Sequence, residues 1–559
     1  MTRSVHIVER MRWMSALAVA AVAAIVLAIA LGATSGQIRL VPNSSAGTAQ
    51  PGGSSAPLDP RIATLAAHRP SAAVQAIVQF NAPVTTAKAE SDAAGVHGRV
   101  IGNLPIIHGL ALSLTAAQAR ALAANPDVHA VSLNTTVNSE SLPFHTVLGQ
   151  SLPTAQLQTT YDATLGVLPL WQFGVTGTGV GVAVVDTGVD GALPDFATKN
   201  HSGSRVVASA VANADATTAT DSYGHGTDVA GIIAGNGDNR GPGDPQYGHY
   251  IGVAPNANLI SVKVSDETGK ATVLDVIYGL QFAVEHQSQF NIRVINLSLS
   301  STTPQSYKTD PLDAAVETAW MHGIVVVAAA GNSGNASNAV QFSPGNDPYV
   351  ITVGGVDENG SATPSGDTIA TWSSRGTTQD GVQKPDVYAP GAHIVSVLAP
   401  NSVFASSCPT CILGNGQYIQ TSGTSMAAPA ISGLVADLLQ VHPNWTPDQV
   451  KGDLTSAAVT ESASFQEPNA VKAELLWNPP TADQGLTPNT LVNSNSGNID
   501  YSRSSWSRSS WSRATGTLRA GFALSSWNCK DCTASGGAGA TPTLGSWNLS
   551  SWTTVQPLG

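Results

Sequence analysis

The stretch "GTSMAAPAISG" (423–433) sets Ser425 where an apolar run, "LVADLLQVHP", is about to begin. A hydroxyl there has two readings. It is either a small side chain that lets a helix pack closely, or a nucleophile at a helix N-terminus, where N–H groups and the helix dipole favour negative charge. The second reading needs a base and an acid. "DSYGHGTDVAG" (221–231) offers His225 between two glycines at the start of a predicted helix, with no apolar neighbour on either side. Asp186 ends the apolar run "GVAVVD" and opens the turn "DTGVD". A carboxylate at the end of a buried strand is costly unless paired, and orienting a histidine would pair it. Finally, "AAAGNSG" (328–334) sets Asn332 after a buried strand and a glycine, where a carboxamide N–H could donate to the oxyanion of a tetrahedral intermediate.

The elements that must position these groups alternate. "GVGVAVVD" (179–186), "LISVKV" (259–264), "RVINLSL" (293–299) and "IVVVAAA" (324–330) are near-continuous apolar runs, the pattern of strands buried on both faces. Between them, residues 225–235, 273–287 and 311–323 have helical spacing. This rhythm predicts an α/β fold, a parallel sheet sandwiched by helices, with functional groups at the carboxyl ends of the strands. Pro429 falls early in its helix, where a missing N–H costs little.

A smaller unit precedes the sheet. Strands at 73–80, 96–101, 109–114 and 128–133 and helices at 85–94 and after Thr115 (a capping box with Gln118) give the order βαββαβ, the ferredoxin-like α+β plan.

Boundaries follow from composition. Residues 1–35 carry Arg3, Arg10 and Arg12 ahead of an apolar run, the mark of an export signal, cleaved or retained as an anchor over residues 14–33. Residues 36–72 are Gly-, Ser- and Pro-rich at their start and read as a flexible linker. Residues 73–138 form the small module and 139–465 the main domain. The tail, 466–559, carries Trp506, Trp511, Trp527, Trp547 and Trp552 with Arg503, Arg508 and Arg513 in a loose five-residue repeat, read as irregular structure. It either docks on the acidic body, adheres to a polysaccharide or cell wall, or serves as a spacer.

The formal net charge is -12, with only 25 Lys and Arg in 559 residues, which argues against nucleic acid as a partner. Four cysteines form two C-x-x-C pairs, Cys408/Cys411 and Cys529/Cys532. In an exported chain they are expected as disulfides rather than a zinc site, with three pairings open.

Taken together, "DTG", "HGT-VAG" and "GTSMAAP", in the order Asp186, His225, Ser425, resemble the subtilisin-like serine proteases, the subtilases. "GVAP" (252–255), "VINLSLS" (294–300), "SSRG" (373–376) and "KPDVYAPG" (384–391) extend the likeness over residues 165–460, and the module resembles the inhibitory propeptide of many such enzymes. The resemblance implies Ser425 as nucleophile, His225 as base, Asp186 as its orienting acid, and Asn332 with the Ser425 N–H as oxyanion hole. It implies that Ser298, Leu299 and Ser300 line the cleft as a strand to which an extended protein or peptide substrate adds. It also implies a zymogen whose own propeptide inhibits it and is cut off somewhere in the weakly structured stretch 134–156. The chemistry requires no cofactor. An esterase reading fails because the G-x-S-x-G elbow is missing and the histidine does not come last.

Three departures stand out. Asp228 occupies the position of the family's second histidine and adds a carboxylate near His225. Ser300 replaces a usual glycine, which would narrow the adjoining pocket. Asp195 in "LPDF" matches a calcium ligand of some subtilases, making structural calcium an option, but the loop 236–250 is longer than the family's common calcium loop.

Overall fold

The computed structural model describes residues 56–140 except Ala82, residues 161–492 except 239–247, Asn415, 460–464 and Leu491, and the strand Trp527–Cys529. The leader, most of the linker, the Trp/Arg repeat and Cys532 lie outside the described residues.

The first unit comprises α1 (Pro60–His68), β1 (Ala73–Phe80), α2 (Thr86–Gly95), β2 (Arg99–Leu104), β3 (Gly109–Thr115), α3 (Ala116–Ala123) and β4 (Val128–Leu133). Its sheet has the order β2–β3–β1–β4 with antiparallel neighbours, the split βαβ arrangement. Thr115 and Gln118 form the capping box that starts α3. Helix α1 corrects the linker reading of 36–72. Asp59 caps it by accepting from the Arg61 N–H, Pro60 occupies its first turn, and its Ile62 is buried in the unit's core.

A fifth strand, β5 (Thr136–Ser139), leaves this unit and pairs elsewhere. The expectation of weak structure from 134 onward is therefore wrong for residues 134–140.

The main sheet contains β6 (Gly181–Asp186), β7 (Val206–Val211), β8 (Asn258–Lys263), β10 (Ile292–Leu297), β12 (Val325–Ala329), β13 (Ile351–Asp357) and β14 (Val387–Pro390). Seven strands run parallel in the order β14–β13–β12–β10–β6–β8–β7, and the short segments Thr368–Ile369 and Trp527–Cys529 add antiparallel to β13 and β7. Strand β6 lies near the centre and every residue in it is buried, so its pairing leaves only side-chain packing to satisfy, which Val182, Ala183, Val184 and Val185 supply. Short strands β9 (Ala271–Thr272) and β11 (Leu299–Ser301) flank β5 in a separate three-stranded sheet. Helices α4 (His225–Ala234) and α7 (Thr424–Val441) pack together on one face of the main sheet. On the other face α5 (Val273–Glu285) packs on α6 (Pro311–Met321), and the first unit docks there, with Leu104, Ile106 and Ile107 joining the main core.

Residues beyond 465 also belong to the body, correcting the tail boundary. Glu467–Pro468 pairs with Ala458–Val459, and Ala470 and Ala473 of a short helix are fully buried. Asn489 is buried as well, its N–H donating to both Glu317 carboxylate oxygens at 2.9 and 2.7 Å. Farther on, Trp527–Cys529 pairs antiparallel with β7, so the tail contributes at least one ordered backbone segment where irregular structure was expected.

Candidate active site

Each functional group sits at the end of an element that fixes it. Asp186 closes β6, and its Oδ1 accepts from the Thr187 N–H at 2.7 Å and bonds His225 Nδ1 at 2.6 Å. His225 opens α4 after Gly224, whose φ of 104° a side chain would strain and whose added Cβ would meet Ser402 Oγ at 2.6 Å. Asp221 caps that helix start. Its carboxylate accepts from the Gly224 and Thr227 N–H groups at 2.7 and 2.8 Å and from the Thr187 hydroxyl at 2.8 Å. An acid a few residues before a helical His was the available signal. Phe404 packs edge-on against the imidazole, with centroids 5.8 Å apart. Phe404 lies on the short helix Val403–Ser407, which is followed at once by a Cys408–Cys411 disulfide packed in the same apolar cluster, so these two cysteines pair with each other.

Ser425 is the second residue of α7 and is fully buried. Its hydroxyl donates to the Ser298 carbonyl at 3.0 Å, and no hydrogen bond joins it to His225, whose Nε2 has no hydrogen-bond partner among the described residues. Pro429 is the sixth residue of α7, not an early one, so it removes the N–H that would reach the Ser425 carbonyl. Ser298 Oγ supplies the missing donor at 3.0 Å, and Ser298 Oγ itself accepts from Asn296, which accepts from Ser432. The proline is tolerated because β10 and its continuation carry a replacement.

Asn332 follows Gly331 at the end of β12. Its Oδ1 accepts from the Thr424 N–H at 3.0 Å, which aims the Nδ2 outward. That Nδ2 donates to the Glu140 carbonyl at 2.5 Å, and the Ser425 N–H donates to the same oxygen at 3.1 Å. Two donors thus converge on one carbonyl beside the Ser425 hydroxyl, the geometry that would hold an oxyanion.

The peptide that brings this carbonyl is β5. Val137, Asn138 and Ser139 pair antiparallel with Ser301, Ser300 and Leu299, and the Glu140 N–H donates to Ser298 O at 3.1 Å. On its other side Thr136 and Val137 pair with Thr272 and Ala271. The strand expected to take a substrate already holds a segment of this chain. Sequence reasoning missed Glu140 because "NTTVNSE" has no apolar pattern of its own; only pairing with β9 and β11 makes it a strand.

Electrostatics favour a charged imidazole. Burial alone would lower the His225 pKa, but the Asp186 carboxylate at Nδ1, with Asp228 and Asp221 behind it, more than offsets this and raises it. Asp228 is buried, accepts from Thr421 Oγ1 at 3.0 Å, and is pushed up to about 7 by desolvation. The Arg205 guanidinium donates to the Asp195 backbone carbonyl at 2.7 Å, and the Asp195 charge acts on it. No group of three or more His, Cys, Asp or Glu placed to hold a metal occurs among the described residues.

A parallel α/β sheet carrying Asp, His and Ser at its carboxyl edge, in that chain order, defines the subtilisin-like class. Residues 177–496 match the subtilase family, and the chain belongs to it. It is 39% identical over 310 residues to serine protease AprX of Bacillus subtilis, covering 54% of this chain and 66% of that protein. It is 35% identical over 293 residues to subtilisin E of the same species (52% and 64%) and 34% identical to a subtilisin of Bacillus pumilus (52% and 88%). The chain thus spans about two thirds of the length of AprX and subtilisin E. Among solved structures, fervidolysin from Fervidobacterium pennivorans, described as a keratinolytic enzyme related to subtilisin, aligns with a TM-score of 0.55 at 25% identity, covering 75% of this chain and 63% of that one.

Proposed function

We propose that this chain is an exported serine endopeptidase made as a self-processing zymogen. Ser425 is the nucleophile, His225 the base that takes its proton, and Asp186 the group that holds the imidazole tautomer and stabilises the imidazolium. Asn332 Nδ2 and the Ser425 N–H stabilise the oxyanion, and Ser298 to Ser300 bind an extended protein or peptide substrate. The side chains carry this chemistry without a cofactor. Residues 73–138 act as an intramolecular inhibitor, delivering β5 into the cleft. Export rests on the basic, then apolar N-terminus, whose run over 14–33 makes an outward-facing membrane anchor the alternative to secretion. The Trp- and Arg-bearing tail is compatible with cell-wall or membrane association.

One observation carries the reading: a peptide carbonyl bonded at once by Asn332 Nδ2 and the Ser425 N–H. The test is casein hydrolysis by the exported chain freed of its inhibitory module. Wild type should digest casein and Ser425→Ala should be inert; an inert wild type removes general endopeptidase activity from the reading.

A further inference from the structure

We propose that the chain cuts itself between Glu140 and Ser141, and that the Ser300 hydroxyl makes the adjoining pocket select glutamate-type side chains on the acyl side of the cleaved bond. This rests on Ser425 being the nucleophile.

The bond is assigned by backbone register. Residues 137–139 run antiparallel to β11, the Glu140 N–H continues the ladder to Ser298 O, and the Glu140 carbonyl is the one that receives both oxyanion donors. The carbon to be attacked is therefore that of Glu140. Ser425 Oγ bonds to it and the hydroxyl proton passes to His225 Nε2. The tetrahedral intermediate collapses by breaking the bond to the Ser141 nitrogen, which leaves with the proton from His225. Water then attacks the ester, giving one proton to His225, which returns it to Ser425. The products are a Glu140 carboxylate and a new N-terminus at Ser141.

The selectivity comes from the side chain. The Ser300 hydroxyl donates to the Glu140 carboxyl oxygen Oε1. No Lys, Arg or His lies within ion-pair distance of that carboxyl among the described residues, so its direct side-chain partner is the neutral Ser300 hydroxyl. Burial raises the Glu140 pKa, while the Ser300 hydrogen bond and the longer-range charge of His225 lower it. A single neutral hydroxyl can hydrogen-bond a carboxyl or a carboxamide of this length, and leaves an aliphatic side chain without a polar partner.

The test has two arms. In the first, the fragment released from wild type at the earliest time of processing is sized by mass spectrometry. It should end at Glu140; a fragment ending elsewhere, or equal processing of Ser425→Ala, overturns the assignment. In the second, the freed enzyme cleaves peptides Thr-Val-Asn-Ser-X-Ser with X as Glu, Gln, Leu or Lys. Glu and Gln should exceed Leu in kcat/KM, and Ser300→Gly should lower the Glu-to-Leu ratio about 10-fold or more, the scale of a lost hydrogen bond to a charged group. Preference for Leu in wild type, or an unchanged ratio in Ser300→Gly, overturns the selectivity. An enzyme that digests casein yet fails either arm loses only this proposal; one inert towards casein and all peptides loses the endopeptidase reading too.

Discussion

Ser298 and Ser425 hold each other reciprocally: the Ser298 hydroxyl donates to the Ser425 carbonyl at 3.0 Å, and the Ser425 hydroxyl donates to the Ser298 carbonyl at 3.0 Å. The first bond repairs the acceptor that Pro429 leaves without a helical partner. The second parks the candidate nucleophile against the substrate strand, so a χ1 rotation towards His225 must precede attack.

This pairing predicts an energetic coupling. Ser298→Ala leaves the buried Ser425 carbonyl unsatisfied and should cost about 1–3 kcal/mol in stability. Pro429→Ala restores an N–H to that carbonyl, so it should be more favourable in the Ser298→Ala background than alone. Urea unfolding of the four members of this double-mutant cycle measures the coupling; additive effects would show that the two residues do not share the acceptor.

The charges around His225 set the acid limb of the pH profile. Protonated His225 cannot accept the Ser425 proton, and its pKa is raised, so activity should climb through a midpoint above the ordinary histidine value of about 6.5. Asp228, pushed up to about 7, gains its charge over the same range and makes the limb shallow. Asp228→Asn removes that charge. The limb of kcat/KM against pH should steepen and its midpoint should move to lower pH, whereas a purely structural Asp228 would leave the midpoint in place.

The oxyanion assignment predicts a selective kinetic defect. Asn332→Ala should lower kcat by about 10²–10³ with little change in KM, because its bond strengthens as charge develops. Steady-state kinetics on a chromogenic peptide distinguish this from a fall in binding.

The Cys408–Cys411 disulfide packs in one apolar cluster with Phe404, whose ring meets His225. Closing so short a loop is worth about 2 kcal/mol by chain entropy. Cys408→Ser with Cys411→Ser should lower stability by that order in urea melts and lower kcat, and Phe404→Ala should lower kcat as well, at a stability cost of about 3–5 kcal/mol because the ring is buried.

Much of this was legible in the sequence. Strands β6, β8, β10 and β12 announce themselves because parallel strands covered on both faces must be apolar along their length. Asp186 and Asn332 stand out as polar residues at the ends of such runs, His225 and Ser425 as polar residues at helix starts, and Thr115 with Gln118 marks a helix start by local bonding alone. What was not legible depends on partners far away in the chain. Strand β5 and Glu140 are polar and become ordered only between β9 and β11. Pro429 looked harmless because the helix start could not be located to the residue, and its repair comes from Ser298, 131 positions earlier. Helix α1 is a different kind of miss: Asp59 and Pro60 are a capping pair in plain view, obscured by the Gly- and Ser-rich stretch before them.

The most direct measurement is the mass of the chain after reaction with a fluorophosphonate, which phosphonylates an activated serine. Once residues 73–140 are removed, wild type should gain one adduct, located on the peptide that contains Ser425, and should react far more slowly while the module stays bound. His225→Ala should abolish the adduct. An unreactive freed chain, or an adduct on a different serine, would contradict the assignment of Asp186, His225 and Ser425 as one catalytic unit.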